Sequence, residues 1–425
     1  MFPKNKYLLF ALILLSICYS QGMLNGYGLG HYYRYQGLNN AIDGISRITP
    51  SNSNDVCLSN PSTWHNLDYT HLSISYGGNE NVLQKTDAAN GYSGLTNIVW
   101  LTPIKKISSI GFALEPYTDQ RVNIFDPETT HFDAFDTTYN LQREWNRYGG
   151  IMSVKLGSSF KFNEKISFGL FNNILFGSAR TTESIFFDGS SVLKTSRVNY
   201  DGLIYEIFLA LDYFDDLKFY SNYSHTQRPL SAVVQKKYLF DDTNQNGYHD
   251  YSVPGLDFPM PDSVSSDQRI EVSDLHSPKS FSFGILKYYK TRLSGLIEFG
   301  NMQDNWKPND LIKFPNENRI SSSKYLKMGL TTYPKNYSIK LLDKILINAG
   351  LIFYEHKLDK KNMNVRELGY SMSIGFKFKP LQNQIGLSYY HGSRSYSNID
   401  EKESVKQIQL GVSLADIWYV KRRQK

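Results

Sequence analysis

Residues 153–162 read SVKLGSSFKF and residues 166–176 read ISFGLFNNILF, and this pair of segments decides the fold. In the first segment the apolar side chains share one parity, at Val154, Leu156, Phe160 and Phe162. The residues of the other parity are serine, lysine and glycine, so one face of the segment is apolar and the other is polar or small. A period of two predicts a β-strand, and the Asn-Glu-Lys turn at 163–165 joins the two segments as a hairpin.

The same alternation recurs along the chain, in segments that approach the roughly 9–11 residues a tilted strand needs to cross a membrane. Two further hairpins are predicted, one from 203–213 and 217–223 and one from 280–289 and 293–299. Additional strands are predicted at 72–76, 95–101, 107–114, 325–333, 345–354, 370–378, 385–390 and 405–414. The pattern therefore predicts about 14 antiparallel strands joined by short turns on one side and long polar loops on the other.

Composition favours a membrane barrel over a soluble β-protein. The chain has 31 Tyr and 25 Phe, yet its mean hydropathy is −0.40. Strands that are apolar outside, polar inside and girdled by aromatic residues produce this combination. A soluble β-sandwich or propeller also alternates, and it stays open as the alternative.

The N-terminus has the features of a secretory signal peptide. Lys4 and Lys6 precede an apolar run over 8–15, which is followed by Cys18-Tyr19-Ser20. The run is too short for a membrane-spanning helix, so residues 1–20 are predicted to be cleaved. With the strand pattern, this predicts a location in the outer membrane of a Gram-negative bacterium. Cys57 is then the only cysteine left, which excludes an internal disulfide.

The formal charge of +6 comes from the two ends of the chain. Lys4 and Lys6 lie in the signal peptide, and the other four excess cations form a basic tail over 421–425. The rest of the chain is balanced, so no nucleic-acid partner is predicted.

Residues 21–67 do not alternate and are predicted to form a hatch inside the lumen of a barrel spanning 68–420. Within this segment Ala41, Ile42, Ile45 and Ile48 recur at helical spacing ahead of Pro50. The spacing predicts a short helix.

The N-terminal segment, with the barrel behind it, resembles the FadL/TodX-type family of outer-membrane transporters for long-chain fatty acids and other hydrophobic compounds. The residues that carry the resemblance are Ala41-Ile42-Asp43-Gly44-Ile45, Asn54-Asp55 and Leu58-Ser59-Asn60-Pro61-Ser62-Thr63-Trp64. Near the C-terminus, 408–422 resembles the closing strand of relatives from Bacteroidetes-like bacteria. The chain departs from the family in the single Gly44 where a glycine pair is usual, and in ending at Lys425.

The resemblance implies a 14-stranded barrel that takes up a hydrophobic small molecule through a lumen gated by the hatch. It implies gating roles for Asn60, Pro61 and Trp64, although an Asn-Pro step also simply starts a turn. Outer-membrane lipids and the hydrophobic ligand are the implied partners. The alternative is a non-transporting barrel that anchors or shuttles components of a secretion or surface complex, because one fold can serve several functions.

A partial calcium-loop pattern lies in the long loop over 237–279. Oxygen-bearing side chains and a backbone carbonyl fall at the first, third, fifth, seventh and ninth positions, at Asp242, Asn244, Asn246, Tyr248 and Asp250. Gly247 stands at position six, but Val253 replaces the acid expected at position twelve. An Asn/Gly-rich turn in a solvated loop is the alternative interpretation of these residues. The rest of the sequence requires no cofactor.

Catalysis has little support in the sequence. The close Ser/His pairs are Ser224-His225 and His391-Gly392-Ser393, and neither is set in a nucleophile motif. The chain is therefore predicted not to be an enzyme.

Overall fold

The computed structural model describes residues 23–51, 55–85, 89–105, 107–134, 137–187, 190–214, 216–235, 238–241, 258, 270–290, 292–305, 319–335, 340–359, 363–378 and 383–416. Nearly all of the regular structure is β. The strands are β1 (His31–Tyr32), β2 (Thr70–Leu83), β3 (Ala89–Lys105), β4 (Ser108–Asp119), β5 (Val122–Ala134), β6 (Thr137–Lys161), β7 (Ile166–Phe187), β8 (Ser190–Leu211), β9 (Leu217–Val234), β10 (Tyr238–Asp241), β11 (Ile270–His276), β12 (Pro278–Lys290), β13 (Leu293–Asp304), β14 (Ile320–Thr332), β15 (Ile345–Leu358), β16 (Asn364–Lys377), β17 (Gln384–Tyr396) and β18 (Ile399–Asp416). Short 3-10 turns occur at Met23–Gly26, Tyr33–Tyr35, Pro61–Asn66 and Leu341–Lys344.

Fourteen of these strands close a barrel within the described part of the chain. Each pairs with the next around the circle in antiparallel register, with β4 paired to β6 and β9 paired to β12. The circle closes between β18 and β2, where Leu410 lies opposite Tyr76 and Val412 opposite Ile74. The predicted all-β antiparallel barrel of about 14 strands is confirmed, and each predicted strand lies in or largely within one of the fourteen.

The barrel has an apolar outside and a polar inside, the reverse of a soluble protein. On β7, Phe168, Leu170 and Ile174 are exposed on the outer surface, whereas Ser167 and Asn173 are buried on the lumen side. Among the described residues no helix is long and apolar enough to span a membrane. The exposed apolar side chains of the outer surface form a belt that faces lipid. A closed barrel can lie in lipid because its strands pair their backbone polar groups with one another.

The two rims of the barrel differ, which fixes its orientation. One rim has short connections such as 162–165 and 212–216, and it carries exposed aromatic side chains at Phe162, Tyr213, Phe214 and Tyr289. The other rim carries the long connections, above all 235–277 between β9 and β12. Short periplasmic turns and long external loops are the rule in such barrels, so the first rim is the inner one.

The strands β6, β7 and β8 extend well beyond the others at the outer rim. They have 25, 22 and 22 residues, and β5 pairs with the extension of β6. The segment β11 pairs with the outer end of β9, then breaks register between Val272 and His276. This irregularity turns Leu275 and His276 into the lumen, where both are buried.

The predicted short helix over 41–48 is wrong. The described backbone there forms turns, because Asn40 Oδ1 accepts hydrogen bonds from the N–H groups of Ile42 and Asp43. Gly44 then adopts a positive φ of 61°, which no α-helix contains. The apolar side chains at this spacing still become buried, but they point at the barrel wall from a tight loop.

Candidate functional site

The N-terminal segment, residues 23–51 and 55–67, runs through the lumen from the outer rim to the inner rim. Near the outer rim β1 pairs with Thr118 and Asp119 at the end of β4. Near the inner rim Ser109 Oγ, at the start of β4, donates a hydrogen bond to the carbonyl of Trp64 over 2.9 Å. Nearly every described residue between these two contacts is buried.

A buried carboxylate of the wall holds the middle of the segment. Glu298 of β13 is 0% exposed, and its Oε1 accepts hydrogen bonds from the backbone N–H groups of Arg47, Ile48 and Thr49 at 2.9–3.1 Å. The hydroxyl groups of Ser46 and Thr49 donate to the same oxygen at 3.0 and 2.6 Å. Three consecutive N–H groups around one anion form a nest, and the charge strengthens each bond. The wall therefore holds the segment through its backbone.

Two cationic side chains add charged links between the segment and the wall. Arg34 of the segment lies 3.2 Å from Glu206 of β8 and donates to Asn222 of β9 over 2.7 Å. In the opposite direction, Lys327 of β14 donates to the carbonyl of Ile45 over 2.9 Å. A buried charge without a partner is energetically unfavourable, so breaking either link would destabilise the packed segment.

The residues predicted to gate lie together at the inner end of the segment. Asn60 caps the 3-10 turn Pro61–Asn66: its Oδ1 accepts from the N–H of Ser62 over 3.0 Å. Its Nδ2 donates to the carbonyl of Ile48 over 2.6 Å, which ties the turn to the nest around Glu298. Pro61 occupies the first position of the turn, where its fixed φ fits and its missing N–H is not needed.

Trp64 is the largest fully buried side chain of the protein's described part. It packs edge-on against Phe171 at 5.2 Å, and its Nε1 donates to the carbonyl of Cys57 over 3.1 Å. Glycines of the wall make room for it: a Cβ on Gly157 would lie 2.6 Å, and one on Gly111 2.7 Å, from the indole ring. The fit is that of a rigid anchor, because any side chain at these positions would displace the ring.

A further contact, which the sequence did not predict, joins the segment to the wall near the outer rim. His276 of β11 stacks on Tyr32 of the segment at a ring distance of 5.0 Å. Its Nδ1 lies 2.6 Å from the Asp304 carboxylate and its Nε2 lies 2.7 Å from the Tyr117 hydroxyl. The four residues lie on four different elements, and no local pattern connects them.

A cavity between these contacts is small. Its volume is about 20 Å³, and its lining combines the charged side chains of Arg34 and Glu206 with Tyr32, Ile204 and Met302. A space of this size holds about one water molecule.

The Ser/His pair considered in the sequence and the predicted calcium loop are separate from the gating residues. Ser224 faces the lumen and is buried, whereas its neighbour His225 is exposed on the outer surface, so the two cannot form a catalytic pair. The calcium pattern at Asp242, Asn244, Asn246, Tyr248 and Asp250 lies outside the described residues. Within the described residues no cluster of three or more His, Cys, Asp or Glu side chains could hold a metal ion.

A closed barrel with a lipid-facing belt and a filled lumen defines an integral outer-membrane protein. The chain belongs to the BamG family, whose model matches residues 4–425. No curated protein matches the chain.

Solved structures share the fold at low sequence identity. The CymD monoaromatic hydrocarbon channel is 11% identical over 90% of this chain and 97% of its own, with a TM-score of 0.51. The P. putida toluene transporter TodX is 13% identical over 89% and 100%, with a TM-score of 0.51. A FadL homologue from Pseudomonas aeruginosa is 12% identical over 85% and 93%, with a TM-score of 0.50. At such identity the likeness is one of fold.

Proposed function

We propose that this barrel works as a closed component of a larger outer-membrane or surface protein assembly. The observation that carries the proposal is the filled lumen. Ligand pockets usually have about 300 Å³ or more, whereas the cavity beside Arg34 has about 20 Å³. A barrel closed in this way offers its partners a rigid outer surface and outer rim, and needs no catalytic group.

A further observation supports an assembly role. The strands β6, β7 and β8 rise beyond the rest of the barrel at the outer rim and build a sheet above the lipid-facing belt. Such an extension adds surface that a protein partner can contact without touching lipid.

Uptake of a hydrophobic small molecule is the second candidate. It is favoured by the shared fold with CymD and TodX, whose names describe a hydrocarbon channel and a toluene transporter. In this candidate the N-terminal segment must shift to open a path, and Asn60, Pro61 and Trp64 would form its inner gate. The contacts to Glu298 and Lys327 would then break and re-form during transport.

A disulfide that locks the segment to the wall separates the two candidates. A Cβ built on Gly411 would lie 2.7 Å from the Cβ of Ala41. A disulfide spans roughly 3.5–4.5 Å between these atoms, so the segment must move away from the wall by about 1 Å to form the bond. The double variant Ala41→Cys/Gly411→Cys is compared with each single variant, oxidised and reduced, in cells that carry it as the only copy. Co-purified proteins are quantified by mass spectrometry, and uptake is measured with radiolabelled toluene and oleate.

For a closed assembly component, the oxidised lock leaves the set and stoichiometry of co-purified proteins unchanged, and neither solute accumulates faster than in cells without the barrel. For a transporter, uptake by the wild type exceeds that background, falls to it in the oxidised lock and returns after reduction. Barrel-dependent uptake with no stoichiometric protein partner would reject the assembly proposal. Heat-modifiable gel mobility checks that every variant is folded.

A further inference from the structure

The outer surface carries cations at one height on one side of the barrel. On four strands, the residue that follows the last apolar lipid-facing side chain toward the outer rim is basic: Lys279 on β12, Lys324 on β14, Arg366 on β16 and Lys406 on β18. All four point outward, because each alternates with buried lumen-facing neighbours. They therefore mark the level where the apolar belt meets the polar outer leaflet.

Carboxylates neutralise only half of these cations. Lys406 lies 2.9 Å from Glu80 of β2, and Arg366 lies 3.1 Å from Glu355 of β15. Lys279 and Lys324 are exposed, and neither makes an ion pair with any residue that the structure describes. The row, which we call the cation row, is Lys279, Lys324, Arg366 and Lys406, and it keeps a net positive charge even after its ion pairs are counted.

Among the described residues, four strands of the opposite side have no cation at the matching position, which is held by Ser93 on β3, Gly150 on β6, Ser178 on β7 and Asp201 on β8. Asp201 is paired with Arg228 over 2.8 Å, so these strands are neutral or acidic at the same level. Arg180 on β7 and Arg197 on β8 lie opposite each other further out, on the strand extensions. At the outer edge of the apolar belt, the excess positive charge therefore lies on β12–β18.

We propose that the cation row binds the phosphate groups of a phosphorylated glycolipid in the outer leaflet. A lipid in contact with the apolar side chains just below, such as Phe281 and Leu326, would place its head group at the height of Lys279 and Lys324. Ammonium groups attract anionic head groups, and each basic side chain near a lipid surface adds about 1 kcal/mol. The acyl chains supply the apolar contact and the phosphates supply the charge, so one ligand satisfies both parts of the surface.

The test compares charge removal at the two rims. The test variant is Lys279→Gln/Lys324→Gln, and the matched control is Lys165→Gln/Lys287→Gln, which removes two exposed lysines at the inner rim. Purified barrels in a neutral detergent are titrated with lipid A, and bound lipid is counted by native mass spectrometry. A parallel titration uses lipid A from which both phosphates have been removed.

For lipid A we expect binding to the test variant about 30-fold weaker than to the wild type, because two charged contacts are lost. The control variant should bind like the wild type, and phosphate-free lipid A should bind all three proteins equally weakly. Equal binding of lipid A by the wild type and the test variant would overturn the proposal. So would an equal loss in both variants, or wild-type binding that does not depend on phosphate. Heat-modifiable mobility confirms the fold independently of lipid binding.

Discussion

Replacing Glu298 with Gln should release the middle of the N-terminal segment while the barrel stays closed. The change keeps the shape of the side chain and one acceptor oxygen. It removes the negative charge that the N–H groups of Arg47, Ile48 and Thr49 surround at 2.9–3.1 Å. It also places an NH₂ group where a carboxylate oxygen now accepts from Arg47. Because Glu298 is fully buried, water cannot replace the lost acceptor without entering the lumen.

The size of the effect follows from the difference between charged and neutral hydrogen bonds. A bond to a charged group contributes about 1.5–3 kcal/mol and a neutral one about 0.5–1.5 kcal/mol, so each of the three backbone bonds loses about 1 kcal/mol. The free energy required to open the segment should therefore be about 3 kcal/mol lower in the variant. That raises the open fraction by about 100-fold.

Hydrogen exchange of the backbone amides of 46–49, followed by mass spectrometry of the detergent-solubilised barrel, measures this opening. Hydrogen exchange of the amides of 46–49 should be about 100-fold faster in Glu298→Gln, whereas the strand amides of β16 and β17 should keep their protection. Glu355→Gln is the matched control, because Glu355 faces outward on β15 and touches no part of the segment. Unchanged exchange at 46–49 in a folded Glu298→Gln barrel would refute the idea that the nest holds the segment.

Three further predictions concern the segment and the long loop. Replacing Asn60 and Pro61 together with Ala removes the cap of the inner turn. For the uptake candidate, this change should weaken binding of an apolar ligand by about 1–3 kcal/mol in fatty-acid titrations, and unchanged affinity in a folded variant would count against gating by this turn. Burial raises the pKa of Asp43 to about 6, so its protonated form stabilises the segment fully below about pH 4 and this contribution is lost as the pH rises through 6. Protease protection of the segment should accordingly fall between pH 4 and 7 in the wild type and change less in Asp43→Asn; parallel pH profiles would argue against this assignment. Calcium should protect the loop over 242–250 from proteolysis, and Asp242→Ala should abolish that protection; equal cleavage with calcium and with chelator would leave a simple turn there.

Alternation predicted the barrel strands well because it is a local property. Whether a side chain at 156 or 170 faces lipid depends on its parity within its own strand. The alternation of apolar and polar residues in the sequence indicates that parity directly. The ends of the strands were harder to predict. The extensions of β6, β7 and β8 beyond the lipid-facing belt lose the strict apolar–polar alternation, since both of their faces leave the membrane.

The helical spacing in the N-terminal segment was misleading because apolar patches of the otherwise polar lumen wall contact the segment, as where Ile42 and Ile48 cluster with Leu286 and Leu296. Apolar side chains three or four residues apart can contact a surrounding barrel from a loop as well as from a helix. The side-chain oxygen of Asn40 and the positive φ of Gly44 selected the loop. The Asn60-Pro61 step predicts the start of a turn, and the structure has a turn there. The gating role of these residues remains a prediction.

The sequence by itself predicted about 14 strands, their lipid-facing and lumen-facing parities, and an N-terminal segment that lies outside the barrel strands. Only the tertiary structure decided what that segment touches. No local sequence pattern distinguishes Glu298, Lys327 and His276 from the other residues of their strands. Each is more than 200 residues from its partner in the segment. Contacts across a barrel lumen depend on strand register, shear and closure. These are properties of all fourteen strands together, so no window of sequence contains them.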